Sequence, residues 1–306
     1  MSEGGRGVAL LFPGQGAQSV GMGRAAHASS AAARAVFTQA DDALGYLLSA
    51  LCLEGPEEEL RRTSRQQPAI LACSLALLAA HDEHDGPFSP VVCATGHSLG
   101  FYTALVAAGA LTLDAALRLV ALRGALMQRA ADARPSGMAA VLGLDDATVE
   151  AVCAEASRDD DPVAPANYNA PGQVAISGTT AALERATALL KGRGARKVVP
   201  LPVAGAFHSP LMRSAAEALA PAVRAATIAD AAYPVIANAT ARPLRTSDEI
   251  RAELLGQTLA PVRWTAVIGA IAATGVAEFV DCGPSGTLAA LQKRIVPEAA
   301  IVKLDV

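Results

Sequence analysis

Short apolar runs alternate along this chain with longer stretches of helical period. Val8–Phe12 reads as a buried strand that ends in the turn Pro13-Gly14-Gln15-Gly16. Val91–Thr95, bounded by Pro90 and Gly96, reads as a second strand, and Pro234–Ala237 and Glu278–Asp281 as two more. Helical patterns cover 209–224, 247–256 and 263–273. Continuous apolar strands joined by helices predict a parallel sheet with helices on its faces.

One stretch keeps a different order. Met138–Leu142 reads as a strand, Asp145–Ala156 as a helix and Val163–Tyr168 as a strand. After the Pro171-Gly172 turn come strand Val174–Ser177, helix Thr180–Lys191 and strand Lys197–Leu201. The order β-α-β-β-α-β is the split βαβ pattern of ferredoxin-like modules. The expected architecture is therefore α/β. A large parallel-sheet domain from residues 1–129 and 203–306 receives a ferredoxin-like small domain, 130–202, with a substrate cleft between them.

Composition narrows the class. With 306 residues the chain can bury a substantial core, and 52% hydrophobic against 18% charged residues fits a compact protein and not a disordered one. A net charge of −4 offers no basic footprint for nucleic acid. No apolar run reaches the roughly eighteen residues of a membrane span. The opening segment Met1–Arg6 leads straight into the first strand and lacks the apolar core of a signal peptide. The five cysteines, 52, 73, 93, 153 and 282, form no C-x-x-C pair, so neither a disulfide framework nor a metal site is expected; Cys93, in an apolar run, reads as a core residue. A cytoplasmic monomer is the expectation.

Gly96-His97-Ser98-Leu99-Gly100 follows a strand and opens a helix at about Phe101–Ala104, the context of a nucleophile elbow. A glycine-rich turn with an ordinary capping serine is the bland alternative. In the elbow reading Ser98 is the nucleophile, and the backbone N–H of Leu99, at the helix N-terminus, faces an oxyanion.

A serine needs a base to take its proton. Of five histidines, His97 adjoins Ser98 and should point elsewhere, His81 and His84 end a charged helix, and His27 lies on an Ala/Ser-rich helix. His208, in Gly205-Ala-Phe-His-Ser209, falls where a strand-like segment gives way to a helix. A helix-capping histidine is the alternative there; beside a serine nucleophile, His208 is the leading base. No acid between 98 and 208 is placed to complete a triad, so a Ser–His dyad oriented by a backbone carbonyl is expected.

The helix Leu113–Arg129 starts behind Thr112 with Asp114 in its first turn. Arg123 falls three or four residues from Leu119, Val120, Leu126 and Met127, on the apolar stripe itself, with no acidic residue on that face. Arg118, by contrast, is an i+4 partner of Asp114. A guanidinium so placed either snorkels to water or awaits a substrate carboxylate.

Phe12-Pro-Gly-Gln-Gly-Ala-Gln18, the elbow, Leu122-Arg-Gly-x-x-Met127 and Gly205-Ala-Phe-His-Ser209 occur in one order. Asn167-x-Asn-x-Pro-Gly-Gln173, Gln257-x-x-x-Pro-Val-Arg-Trp264 and Gly283-Pro-x-Gly-x-Leu288 continue it. In these motifs the chain resembles malonyl-CoA:acyl carrier protein transacylases and the acyltransferase domains of polyketide synthases over nearly its whole length. The resemblance implies a hydrolase-like large domain and a ping-pong reaction in which malonyl passes from coenzyme A, through Ser98, to the phosphopantetheine of an acyl carrier protein. No bound cofactor is implied. Ser98, His208 and Arg123 match the family's nucleophile, base and carboxylate anchor. Gln15 matches a second oxyanion-hole donor, and Gln257 the residue whose carbonyl orients the histidine. Phe207 matches a position where a large ring goes with malonyl and a smaller residue with methylmalonyl. Phe101 departs from the acidic residue common after the elbow, and being beside the site it could alter acyl or carrier preference. A thioester hydrolase, a malonyl-loading subunit of a malonate decarboxylase and a silent carrier-binding module are the rival readings.

Overall fold

A computed structural model describes residues 7–304; the opening segment 1–6, read above as leading into the first strand, and residues 305–306 lie outside the described residues. Among the described residues ten strands form two sheets. The larger contains β1 (Val8–Phe12), β2 (Val91–Gly96), β7 (Val235–Ile236), β8 (Pro243–Leu244), β9 (Glu278–Asp281) and β10 (Ala300–Lys303), in the order β10-β9-β1-β2-β7-β8. All its pairings are parallel except β7 with β8. Alternation along β1 serves two cores. Leu10 and Phe12 pack with the helices Thr63–His84 and Leu113–Asp132, whereas Ala9 and Leu11 pack with Trp264, Val267 and Ile268 on the opposite face.

The smaller sheet holds β3 (Ser136–Leu142), β4 (Val163–Ala170), β5 (Gln173–Thr179) and β6 (Lys197–Pro200), all antiparallel, in the order β4-β5-β3-β6. This is the ferredoxin-like arrangement. Helices Asp146–Ala156 and Thr180–Gly192 cover one face through Val149, Val152, Ala186 and Leu190. The other face turns Met138, Ala166 and Ala175 toward Met127, Phe207 and Met212, so the small sheet roofs the region where Ser98 and His208 lie.

The helix Leu113–Asp132 outruns the expected Arg129 terminus, and the helical pattern at 209–224 resolves into a 3₁₀ turn, Pro210–Met212, followed by Arg213–Ala225. Strands β8 and β10, both short and at sheet edges, add to the expected ones. No helix among the described residues is long and apolar enough to cross a membrane.

Candidate active site

The elbow is built from close backbone contacts. A Cβ on Gly96 would stand 1.9 Å from the carbonyl carbon of Gly100, and one on Gly100 would stand 2.0 Å from the Phe12 oxygen. Glycine at both positions lets β2, the helix Gly100–Ala107 and the end of β1 meet, and Ser98 is forced into a left-handed conformation at φ 52°. Gly14 is also tight, a Cβ there standing 2.6 Å from the His97 oxygen, which brings Gln15 to the cavity over Ser98.

His208, also left-handed at φ 56°, sets Nε2 2.7 Å from Ser98 Oγ. Its Nδ1 lies 3.1 Å from the Gln257 carbonyl and 2.9 Å from that of Ala260. Carbonyl oxygens only accept, so the ring proton sits on Nδ1 and Nε2 is left to accept the serine hydroxyl proton. Burial, reinforced by the Arg123 charge, pushes the His208 pKa down to about 3, keeping the ring neutral. Among the described residues no carboxylate bonds this histidine; the half-buried Glu253 accepts instead from the N–H groups of Asn238 and Ala239.

Arg123 is fully buried. Gly124 allows this, since a Cβ there would stand 2.5 Å from the Thr63 oxygen; the helix Leu113–Asp132 thus lies against the start of Thr63–His84. One terminal nitrogen of Arg123 donates to Gln67 Oε1 at 2.8 Å and the other to Ser98 Oγ at 3.0 Å, while Nε has no partner. Among the described residues Arg123 forms no ion pair. Burial lowers its pKa from the ordinary value, yet an arginine stays charged at any working pH. A desolvated cation beside a serine hydroxyl, with donors to spare, is chemically suited to pair with an anion.

A cavity of about 160 Å³ lies over Ser98 and His208; Gln15, His97, Ser98, Asn167, Asn169, Phe207 and His208 line it, and Arg123 sits behind Ser98 rather than on its wall. His97 does face this cavity, but its Nε2 pairs with Asn169 Oδ1 at 2.9 Å and not with the serine. No hydrogen bond to another described group takes the N–H of Gln15 or of Leu99, whereas that of Ser98 is bound to Asn238 Oδ1 at 2.8 Å. Phe101 corrects an expectation: it is not among the cavity's lining residues. Its fully buried ring belongs to the core with Phe12, Leu99 and Tyr102, where an apolar ring gains most from leaving water.

Sequence reasoning missed Gln67, Asn169, Asn238 and Ala260. One carried a signal: Asn238 follows β7 at the carboxyl end of a parallel sheet, where ligand sites of open α/β sheets collect. Gln67 belongs to the polar opening Thr63–Gln67 of its helix and reads there as an ordinary first turn.

Residues 9–303 match the family model described as acyl transferase domain. The chain belongs to this family. Malonyl CoA-acyl carrier protein transacylase of Escherichia coli O157:H7 is 43% identical over 288 residues, covering 94% of this chain and 92% of that protein. Among solved acyl transferases, an acyl carrier protein S-malonyltransferase from Vibrio cholerae superposes with TM-score 0.94 and 39% identity, covering 98% and 97% of the two chains. A type II polyketide malonyl-transacylase in complex with its acyl carrier protein gives TM-score 0.94 and 38% identity, with coverages of 98% and 96%. Within this family frame the elbow serine and His208 share one cavity, with Arg123 bonded to Ser98 from behind.

Proposed function

We propose that this protein moves a malonyl group from coenzyme A to the phosphopantetheine thiol of an acyl carrier protein, for fatty acid or polyketide synthesis. The observation that carries the reading is the guanidinium of Arg123, buried without an anion 3.0 Å from a serine hydroxyl that is itself 2.7 Å from a neutral imidazole. An acyl group joined to Oγ and paired with that guanidinium has room for very few carbons between its carbonyl and its carboxylate. Malonyl has one.

Ser98 Oγ attacks the thioester carbonyl carbon as its proton passes to His208 Nε2. The oxyanion is held by the free N–H groups of Leu99 and Gln15. As the C–S bond breaks, the imidazolium returns its proton to the departing coenzyme A thiolate, leaving malonyl-Ser98. The phosphopantetheine thiol then gives its proton to His208 and attacks the ester carbonyl; the C–Oγ bond breaks and Ser98 recovers the proton. Gln257 and Ala260 hold the imidazole through Nδ1 in both halves. Phe207, on the cavity wall, limits substituents on the α-carbon.

We read residues 1–129 with 203–306 as the catalytic unit and 130–202 as the lid-like small domain, a division supported by the two separate sheets. The carrier protein is the transient partner of a cytoplasmic monomer in this reading.

Intact-protein mass spectrometry after exposure to malonyl-, methylmalonyl-, succinyl- and acetyl-CoA tests it. Malonyl-CoA should add one malonyl mass, lost on adding holo acyl carrier protein, and Ser98→Ala should gain nothing. Acylation of the Ala variant at another residue, or release of malonate to water as fast as transfer, would overturn the reading.

A further inference from the structure

We propose that Asn238 is a positioning residue that holds the nucleophile and its base in register, an inference that rests on Ser98 being the acyl carrier. Its side-chain amide is 1% exposed at the residue level, and both polar atoms are used. Oδ1 accepts from the Ser98 N–H at 2.8 Å, and Nδ2 donates to the Gly96 carbonyl at 2.8 Å. The same Oδ1 accepts from Gln257 Nε2 at 3.3 Å, and that nitrogen also donates to the Ser98 carbonyl at 3.1 Å. Three consecutive peptide planes of the elbow are thus gripped by two side-chain amides.

A left-handed serine persists only where its surroundings over-determine it, and Ser98 has no glycine's freedom to adopt φ 52° unaided. Asn238 supplies that constraint from 140 residues away in sequence. Asn238 is itself fixed: its N–H donates to Glu253 Oε1 at 3.0 Å and its carbonyl accepts from the Arg263 N–H at 2.9 Å. The link reaches the base as well, because the Gln257 backbone carbonyl accepts the proton on His208 Nδ1. Nucleophile and base, on different segments, are tied through one amide pair. A second consequence concerns the oxyanion: with the Ser98 N–H occupied by Asn238, that amide is not a donor to the oxyanion, leaving the task to Leu99 and Gln15.

The test uses the full chain carrying Asn238→Ala or Asn238→Asp. Single-turnover formation of malonyl-Ser98 is measured alongside malonyl-CoA affinity, the latter on a Ser98→Ala background. In Asn238→Ala, acylation should fall about 10²-fold, as for other small misplacements of reacting groups, while affinity stays within about 2-fold. Protonated, the aspartate offers an acceptor oxygen and an O–H donor like the amide it replaces; ionised, it cannot donate to Gly96. Acylation by Asn238→Asp should therefore recover toward the parent rate as pH falls. Glu253 beneath Asn238, His97 on the elbow, and His208 and Arg123 at Ser98 are the titratable or charged groups facing this site. The parent contains all four and should show no such recovery. If the Ala variant does not fold, the pH trend of the Asp variant decides. Acylation within about 3-fold of the parent in a folded variant with no pH trend, or rate and affinity falling together, overturns the inference. Acylation of Ser98→Ala would instead sink the underlying assignment of Ser98.

Discussion

Arg123 donates to the Ser98 hydroxyl at 3.0 Å, so the group proposed to hold the far end of a substrate touches the one proposed to attack its near end. The contact explains how a buried guanidinium is tolerated without an acid: Gln67 and Ser98 accept two of its hydrogen bonds and the Tyr102 ring lies 5.7 Å away. Nε has no partner among the described residues.

Removal of this cation should therefore separate substrates. Deleting one member of a buried charge pair typically costs about 2–5 kcal/mol. At about 1.4 kcal/mol per decade, Arg123→Ala should lose tens-fold to a few thousand-fold in malonyl transfer. Acetyl transfer, which leaves no carboxylate stranded, should hold or improve. Steady-state kcat/KM with both thioesters gives the answer, and an equal fall for both would make Arg123 purely structural.

His208 should set both the rate and its pH dependence. His208→Ala is expected to slow acylation by about 10² or more. Substitution of His81, which stacks on Phe88, should change little. The base works neutral, and its pKa is pushed down to about 3; activity is lost only as pH falls through that value. Acylation should accordingly be flat from pH 8 to pH 5, measured by quenched flow in a constant-ionic-strength buffer. A half-loss near the ordinary histidine pKa of about 6.5 contradicts the depressed value.

Phe207 faces the cavity with its ring almost wholly buried. Phe207→Ser should raise methylmalonyl transfer relative to malonyl, by an amount consistent with the about 1–3 kcal/mol that one carbon is worth in an apolar pocket. Competition between the two thioesters, read by mass, measures the ratio. An unchanged ratio would assign α-carbon selection elsewhere.

Gly100→Ala should destabilise the fold and disable the elbow together, because its Cβ would meet the Phe12 backbone oxygen, which cannot swing away. Overpacking of this kind costs about 1–3 kcal/mol or more. Gly269, within the helix Trp264–Ala272, has nothing within 4 Å of its virtual Cβ. Gly269→Ala should stabilise by about 0.5–1 kcal/mol. Urea unfolding of both variants checks the contrast, and equal behaviour would refute the steric account.

The chain's own order determined a good deal. Alternation in β1, the split βαβ succession and the glycines of the elbow are local facts, fixed by sterics and side-chain period within a few residues, and they announced both sheets and Ser98. Arg123 was legible as a charge on an apolar stripe, because a cation there must have a partner of some kind. Tertiary structure decided which groups meet. Asn238 and Gln257 grip the elbow across 140 and 159 residues through backbone atoms that every residue possesses, so no pattern in the sequence marks the pairing. The carbonyls of Gln257 and Ala260 replace a triad acid for the same reason: an orienting acceptor drawn from the main chain leaves no side-chain signature. Phe101 shows the converse. Next to the elbow in sequence, it is carried into the core by the first turn of its helix, because helical geometry, not chain proximity, chooses which side chains face a site.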